Sequence, residues 1–341
     1  MQTQKNISWI NWVRAICMFL VYFFHTENRA KFDFLNRDVD LFIKAFFVNA
    51  FFVVSGYLLY RKQEQIYQRV KDVHVWLKEF GLKYLSNILF ILVIPSIIFS
   101  LFLFVPKLWF RHQNFDSLRM LGNTIGGSSL WFVAALAVAQ LLIFILLYFR
   151  KLSLLLWGGY GVGCMLIAVL LHKSGFENFP WCYQSGMCAV FLLWFGSLLY
   201  KNEKIFSLPK TFFIILFVGY LLLVLFTKPL TDLGHVNINL QGILLCLIST
   251  VILIRFCMWL KPNKFVEKIG RSTIGLYFLS GAVPETIAMI VKRFVEFNNM
   301  VFLFVVVISF IVSVVLNEFL RKYIGFIFDL RILFPSTKQL N

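Results

Sequence analysis

The chain has 341 residues, of which 60% are hydrophobic and only 14% charged, with 41 Phe among them. A soluble domain of this length cannot bury that much apolar surface, so a polytopic helical membrane protein is expected instead. The formal net charge of +17 comes from cations scattered through short loops between apolar runs; that suits loops facing an anionic leaflet and argues against nucleic acid as a partner.

Apolar runs long enough to cross a bilayer recur along the whole chain. The fold class expected is all-α, with ten spans over about residues 7–27, 41–60, 80–105, 128–149, 153–171, 186–200, 210–227, 238–259, 272–291 and 299–320, in a single transmembrane domain covering 1–341. With the N-terminus inside, the inner segments hold 19 Lys and Arg and the outer loops 10. The excess places both termini in the cytoplasm.

The first span, Asn6 to Thr26, carries Arg14 in its apolar part and His25 near its far end. They are eleven residues apart, which is three helical turns plus roughly 20°, so both lie on one face, about 16 Å apart along it. A charge at membrane depth costs about 2.5–3.5 kcal/mol on insertion scales, and such groups as a rule face the interior of the bundle. One helix thus presents a fixed cation toward the inner surface and a titratable imidazole toward the outer one. Interfacial snorkelling or a structural ion pair is the plain alternative.

Further along, residues 61–79 hold five basic residues and read as an inner loop, either an orientation signal or an amphipathic helix on the membrane. The third span is long enough to tilt or to kink at Pro95. Gly122 to Ser129, GNTIGGSS, reads as a flexible turn before Leu130-Trp131-Phe132; it lacks the strand context of a phosphate-binding loop. Gly158, Gly159, Gly161 and Gly163 in the fifth span read as a close helix–helix contact. Of the six Cys, four read as packing residues, and Cys182 with Cys188 could form a disulfide near the start of a helix.

The ninth span, Ile269 to Ile290, is the other informative one. Ser272 or Thr273 is expected to cap its inner end. Pro284 should kink it, and Glu285 follows directly at membrane depth. Lys292, Arg293 and His25 are the candidate partners for that carboxylate.

No metal ligand set is visible: His25, His74, His112, His172 and His235 are dispersed, and neither an HExxH nor a Cys/His spacing occurs. No GxSxG elbow is present. His25 is therefore the best general base, since an unperturbed pKa near 6.5 suits proton removal from a hydroxyl at neutral pH. Glu27 and Glu285 are the carboxylates that could orient it. The planar fork of Arg14 suits a phosphate or a developing oxyanion.

Arg14-x10-His25, together with Phe51-Phe52-Val53-Val54-Ser55-Gly56-Tyr57-Leu58, Leu130-Trp131-Phe132-Val133-Ala134-Ala135-Leu136, Phe195-Gly196-Ser197-Leu198-Leu199-Tyr200-Lys201 and Ile269 to Leu279 (IGRSTIGLYFL), resembles the signature of the integral membrane acyltransferase 3 family. The motifs run in the family's order across essentially the whole chain. The resemblance implies a ten-helix enzyme of the bacterial inner (plasma) membrane. It would move an acyl group, acetyl by default, from cytoplasmic acyl-CoA to a hydroxyl of a sugar or cell-envelope glycan, with acyl-CoA a co-substrate and no bound cofactor. The family's first-helix roles carry over to Arg14 and His25 as the catalytic pair. Glu27, Ser55, Tyr57, Trp131, Tyr277, Ser280 and Glu285 become candidate substrate-binding residues, and Lys78 and Lys83 candidate contacts for the CoA phosphates. Two departures stand out. Ser280 occupies a place where the family often has His, and Lys78 and Lys83 stand where it often has an Arg-rich RxxR stretch. A multi-span transporter or flippase for a glycan, lipid or small solute is the alternative that a polar first helix also fits.

Overall fold

The computed structural model describes residues 8–32, 34–35, 37–110, 116–149, 153–177, 180–226, 236 and 238–333. Among them every regular element is helical and none is a strand. The chain runs through α1 (Ser8–Ala30), α2 (Arg37–Lys44) and α3 (Asn49–Arg69). Then come α4 (Val73–Trp76), α5 (Leu82–Asn87) and α6 (Ile94–Phe110), joined by the π-turns Leu77–Gly81 and Ile88–Val93. They are followed by α7 (Ser117–Asn123), α8 (Trp131–Tyr148), α9 (Leu154–Lys173), α10 (Tyr183–Lys201) and α11 (Lys210–Phe226). The last five are α12 (Leu240–Trp259), α13 (Lys264–Arg271), α14 (Thr273–Ser280), α15 (Val283–Lys292) and α16 (Asn299–Ile324).

Among the described residues, seven helical runs are long and apolar enough to cross a membrane, and the bent pair α14–α15 makes an eighth if it counts as one span. This is a multi-pass membrane protein. The expected ten is not reached on length and composition alone. α11 has only 17 residues, and α1, the expected first span, is not among the seven. Several cations on which the expected orientation rests (Lys5, Arg111, Arg150, Lys151, Lys228 and Lys338) lie outside the described residues, as do His112 and His235.

Two compact units emerge. The first takes in Met1–Val54, Lys201–Thr231 and Asn237–Asn317; the second takes in Ser55–Tyr200, Asp232–Val236 and Glu318–Asn341.

In the first unit α1 is the hub, packing against α12, α13, α14 and α15. Its first turn meets α13 at backbone distance: a Cβ built on Gly270 would fall 2.6 Å from Asn11 Cα. Its C-terminal half is an aromatic core. The Phe23 ring stands edge-on to Phe302 at 5.0 Å, Phe34 stacks on Phe302 at 4.8 Å, and Phe19 and Tyr22 both stand edge-on to Phe310. Edge-to-face pairs of this kind add about 0.5–1.5 kcal/mol each beyond their buried area. α2 packs on α11; Lys44 Nζ meets Asp40 at 2.8 Å and lies 5.1 Å over the Phe24 ring, so that a cation expected inside the second span has its own counter-charge.

In the second unit Gly56 lets α3 lie against α10: a Cβ there would fall 2.0 Å from Leu193 O. Two of the four glycines of α9 do the packing expected of them. A Cβ on Gly158 would meet the Trp194 ring at 2.8 Å, and one on Gly161 would meet Phe191 Cα at 3.0 Å. Gly159 and Gly163 have nothing within 4 Å among the described residues.

Residues 61–79 are not a long loop. α3 continues to Arg69, the break is confined to residues 70–72, and Asp72 starts α4 by accepting the Val75 N–H at 2.9 Å. Trp76 is buried, its Nε1 donating to Gln63 Oε1 at 3.3 Å, so the segment folds back on α3. The irregularity expected at Pro95 appears as the π-turn just before it. Proline lacks an N–H and crowds the preceding turn, while Val73–Leu103 stays one continuous helical run of 31 residues. Of Gly122 to Ser129, Gly122 and Asn123 close α7 and residues 124–126 form the turn, with Gly127 at φ 76° and a short 3-10 turn, Ser128–Leu130, leading into α8.

All six Cys are free and buried, Cys182 and Cys188 included. Cys182 sits at φ 49°, following Trp181 at φ 60°, immediately before α10, and burial pushes its thiol up to about 11.

Candidate active site

Arg14 and His25 lie on the face of α1 that points into the protein. Between them on the same stripe are Met18 and Val21, with Tyr22 beside them, and all three are almost fully buried, at 1, 3 and 0% exposure. Arg14 and His25 are themselves half-buried. The stripe between them therefore packs against protein.

Two ties fix what lies beside His25. The Tyr22 hydroxyl donates to Leu276 O at 2.8 Å, joining α1 to α14. Eight residues on, Lys292 Nζ donates to Ala30 O, joining the end of α1 to the end of α15, where Ala30, Ala288 and Val305 form a small buried cluster. Both ties run in the same order along the two strands of the contact, so α1 and the α14–α15 pair point the same way. His25 lies between the ties on one side. The break between α14 and α15 lies between them on the other.

That break bends the pair by 42°, with Pro284 in the first turn of α15. The kink expected at Pro284 is thus present. The ring fits a first turn, where the missing N–H has no carbonyl to meet. Ser280 and Tyr277, on the last turn of α14, are buried, with Ser280 Oγ donating to Tyr277 O at 2.8 Å. Glu285 is 6% exposed and lies one turn before Ala288 on the same face of α15. Lys292, one of its expected partners, is engaged by Ala30 O and by the Phe297 ring at 5.1 Å.

Glu27 lies two residues beyond His25, and its Oε1 accepts the N–H groups of Phe34 and Leu35 at 3.1 and 3.3 Å, which pins the loop after α1. The hydroxyls expected to cap the start of α14 do not do so by accepting N–H groups. Ser272 Oγ donates to Lys268 O at 2.8 Å and Thr273 Oγ1 to Gly270 O at 3.3 Å, because α13 runs almost directly into α14 and supplies carbonyls in reach.

The other candidates belong to the second unit. Tyr57 is buried and stands edge-on to Tyr200 at 5.3 Å; Ser55 is half-buried one turn-step away on α3; Trp131 begins α8. Lys78 lies exposed on the first π-turn and Lys83 exposed on α5. Lys83 has cationic company that the sequence did not suggest, for it and Arg331 both repel the Lys62 ammonium. Arg331 is held by Asn87 Oδ1 and, through Nε at 2.7 Å, by Asp329. No spacing rule brings residues 62, 83 and 331 together; the only hint was that each is basic and lies near the end of an apolar run. Among the described residues no group of three or more His, Cys, Asp or Glu is arranged to hold a metal ion.

A family model described as an acyltransferase domain, that of the acyltransferase 3 family, matches residues 7–318. The chain belongs to the acyltransferase 3 family. No curated protein and no solved structure matches it. As a member of that family it is a membrane acyltransferase, and the match takes in Arg14, His25, Lys78 and Lys83, while Arg331 lies beyond it.

Proposed function

We propose that this acyltransferase is an O-acyltransferase of the cell inner (plasma) membrane. It moves an acyl group, acetyl by default, from cytoplasmic acyl-CoA to a hydroxyl of a sugar or cell-envelope glycan. The observation that carries the reading is the position of His25 between the Tyr22–Leu276 and Ala30–Lys292 ties, alongside the α14–α15 break. Broken helices inside a membrane free backbone groups, and they persist where those groups line a cavity or are met by protein.

In the mechanism, the His25 imidazole takes the proton of the acceptor hydroxyl as that oxygen attacks the thioester carbonyl. The C–O bond forms, the C–S bond breaks, and the proton passes to the departing CoA sulfur. No acyl-enzyme is needed. Glu285 orients the imidazole, because it lies on the face of α15 that packs against α1, whereas Glu27 Oε1 serves the loop backbone. Arg14 assists the acyl donor through its phosphates or the developing oxyanion. Lys83, with Lys62, Arg331 and the neighbouring Lys78, receives the phosphates of CoA. Tyr277 and Ser280 of the first unit are candidate substrate contacts, as are Ser55, Tyr57 and Trp131 of the second.

Ten spans fit the geometry. The seven apolar runs, the bent pair, α11 and α1 make ten. Six of the seven lie between α1 and α14, and six crossings alone would leave α1 and the α14–α15 pair pointing opposite ways. The two ties favour the same direction, which supports a crossing by α11 as well. An even total puts both termini on one side, and the excess of cations makes that side the cytoplasm. Against a carrier, only one bent pair occurs among the described residues, whereas inverted-repeat transporters break helices in matching halves.

The test uses membranes holding wild type, Arg14→Ala, Arg14→Lys or His25→Ala, radiolabelled acetyl-CoA and an envelope-glycan extract. Label should enter the glycan fraction with wild type and vanish with His25→Ala at unchanged insertion. Arg14→Lys should fail as Arg14→Ala does. Full transfer by His25→Ala would remove His25 from the mechanism, and no label from any inserted sample across several acyl-CoAs would favour the carrier.

A further inference from the structure

A cavity of about 360 Å³ in the first unit opens between α2, α11 and α12. Its wall is apolar and mostly aromatic, and it holds one charge, that of Arg255. The Arg255 guanidinium is set between two rings, 5.1 Å from the centroid of Phe213 and 5.1 Å from that of Trp259. Its Nε is buried and hydrogen-bonds to nothing, and no described residue forms an ion pair with the side chain. Lys44, on α2, has Asp40 at 2.8 Å as its counter-ion.

A half-buried cation with a buried, unpartnered Nε and no counter-ion lacks compensation that an anion would supply. The two flanking rings lower it only in part. Arg255 lies one turn from the end of α12, whose last residue is Trp259. Trp marks headgroup depth at a membrane surface. From there the groove runs back along α12 past Ser249 to the contact of Tyr220 with Phe42, about 15 Å from Trp259 to Ser249 at helical rise. Its remaining wall is hydrocarbon and aromatic, and Ile214 on its rim is 60% exposed. A single charge at headgroup depth and an apolar trough leading inward are complementary to one molecule: a lipid with an anionic phosphate.

We propose that this groove is a specific site for an anionic phospholipid, its phosphate on Arg255 between Phe213 and Trp259 and one acyl chain lying along α11 and α12. Basic pockets between membrane helices recognise acidic headgroups in this way. The site does not depend on acyl transfer. It contains neither Arg14 nor His25.

The experiment places the full chain in nanodiscs of phosphatidylcholine with a graded share of phosphatidylglycerol. Bound lipid is read by native mass spectrometry after release into detergent, and stability by the thermal unfolding midpoint. Wild type should retain phosphatidylglycerol over phosphatidylcholine, and its midpoint should rise with the anionic share. Arg255→Gln should cut the retention ratio about tenfold, or about 1.4 kcal/mol, and should unfold at the same midpoint as wild type in pure phosphatidylcholine, since it removes a charge that lacks a partner there. Ile214→Trp, which obstructs the groove from its rim and leaves the charge, should also lower retention. Equal retention by Arg255→Gln would overturn the site. So would a midpoint rise of the same size from inorganic phosphate in pure phosphatidylcholine, because the groove would then hold a small anion and not a lipid.

Discussion

Gly270→Ala tests the contact on which the position of Arg14 depends. The new Cβ would lie 2.6 Å from Asn11 Cα, 2.8 Å from its Cβ and 2.9 Å from its carbonyl oxygen, whereas ordinary contact begins at 3.4 Å. The atoms it meets are mostly helix backbone, so no side chain can swing aside, and α13 must move from α1 by roughly 0.8 Å. Overpacking of this kind costs about 1–3 kcal/mol. Asn11 is one helical turn from Arg14 on the same side of α1, so the shift is passed to the guanidinium. A misplacement on the order of 1 Å costs about 10²-fold in rate where geometry is strict. Purified protein in detergent should therefore show a lower thermal midpoint, and acetyl transfer should fall by about one to two orders of magnitude even at temperatures where the variant stays folded. An unchanged midpoint would refute the backbone contact. A lower midpoint with full transfer would refute the link from that contact to Arg14.

The glycines of the second unit should behave unequally. Gly159→Ala, with nothing within 4 Å, should be neutral or stabilise α9 by up to about 1 kcal/mol, while Gly56→Ala, whose Cβ would land 2.0 Å from Leu193 O, should abolish accumulation of folded protein; equal midpoints in the two variants would contradict this packing. Hydrogen bonds from Arg331 hold the Asp329 carboxyl below the usual carboxylate range. Its lowered folded pKa means that its stabilisation is complete above about pH 4 and is lost as pH falls through the lowered value. With side chains 29% and 35% exposed, screening limits the effect to about 0.5 kcal/mol, and Asp329→Asn should flatten that acid limb in a pH series of unfolding midpoints. Cys182, buried and with its thiol pushed up to about 11, should react with maleimide at pH 8 only after unfolding, and the intact mass should show six free thiols; rapid labelling of the native protein or an oxidised pair would be contrary.

What the sequence made legible was set by local rules. Apolar length located the long helices, Pro284 marked the break, and the eleven-residue spacing put Arg14 and His25 on one face. What it concealed was set by contacts distant in the chain. The fold-back of Trp76 onto Gln63 turned an apparent loop into packed helix, and the basic composition of 61–79 gave no sign of it. Gly158 and Gly159 look alike in sequence and differ only in whether a neighbour is present. Ser272 matches a capping residue by type, but the carbonyls of α13 outcompete the N–H groups of α14 for its hydroxyl. Arg331 meets Asn87 across 244 positions, a separation at which periodicity carries no information.

α1 is the least lipid-like of the long helices, and its surroundings account for that. It contacts four other helices of its unit, so protein replaces lipid around much of its circumference. Asn11 and Thr26 are buried against that protein and not exposed to hydrocarbon. Thr26 returns its hydroxyl to Tyr22 O at 2.8 Å, and Trp12 donates to Lys261 O at 3.0 Å. Membrane-depth polarity is tolerated where protein groups meet it. A helix held this way is free to carry an arginine and a histidine that a lipid-facing span would exclude, and the same residues lower its apolar signal. The helix that composition recognises least well is therefore the one around which the first unit is built.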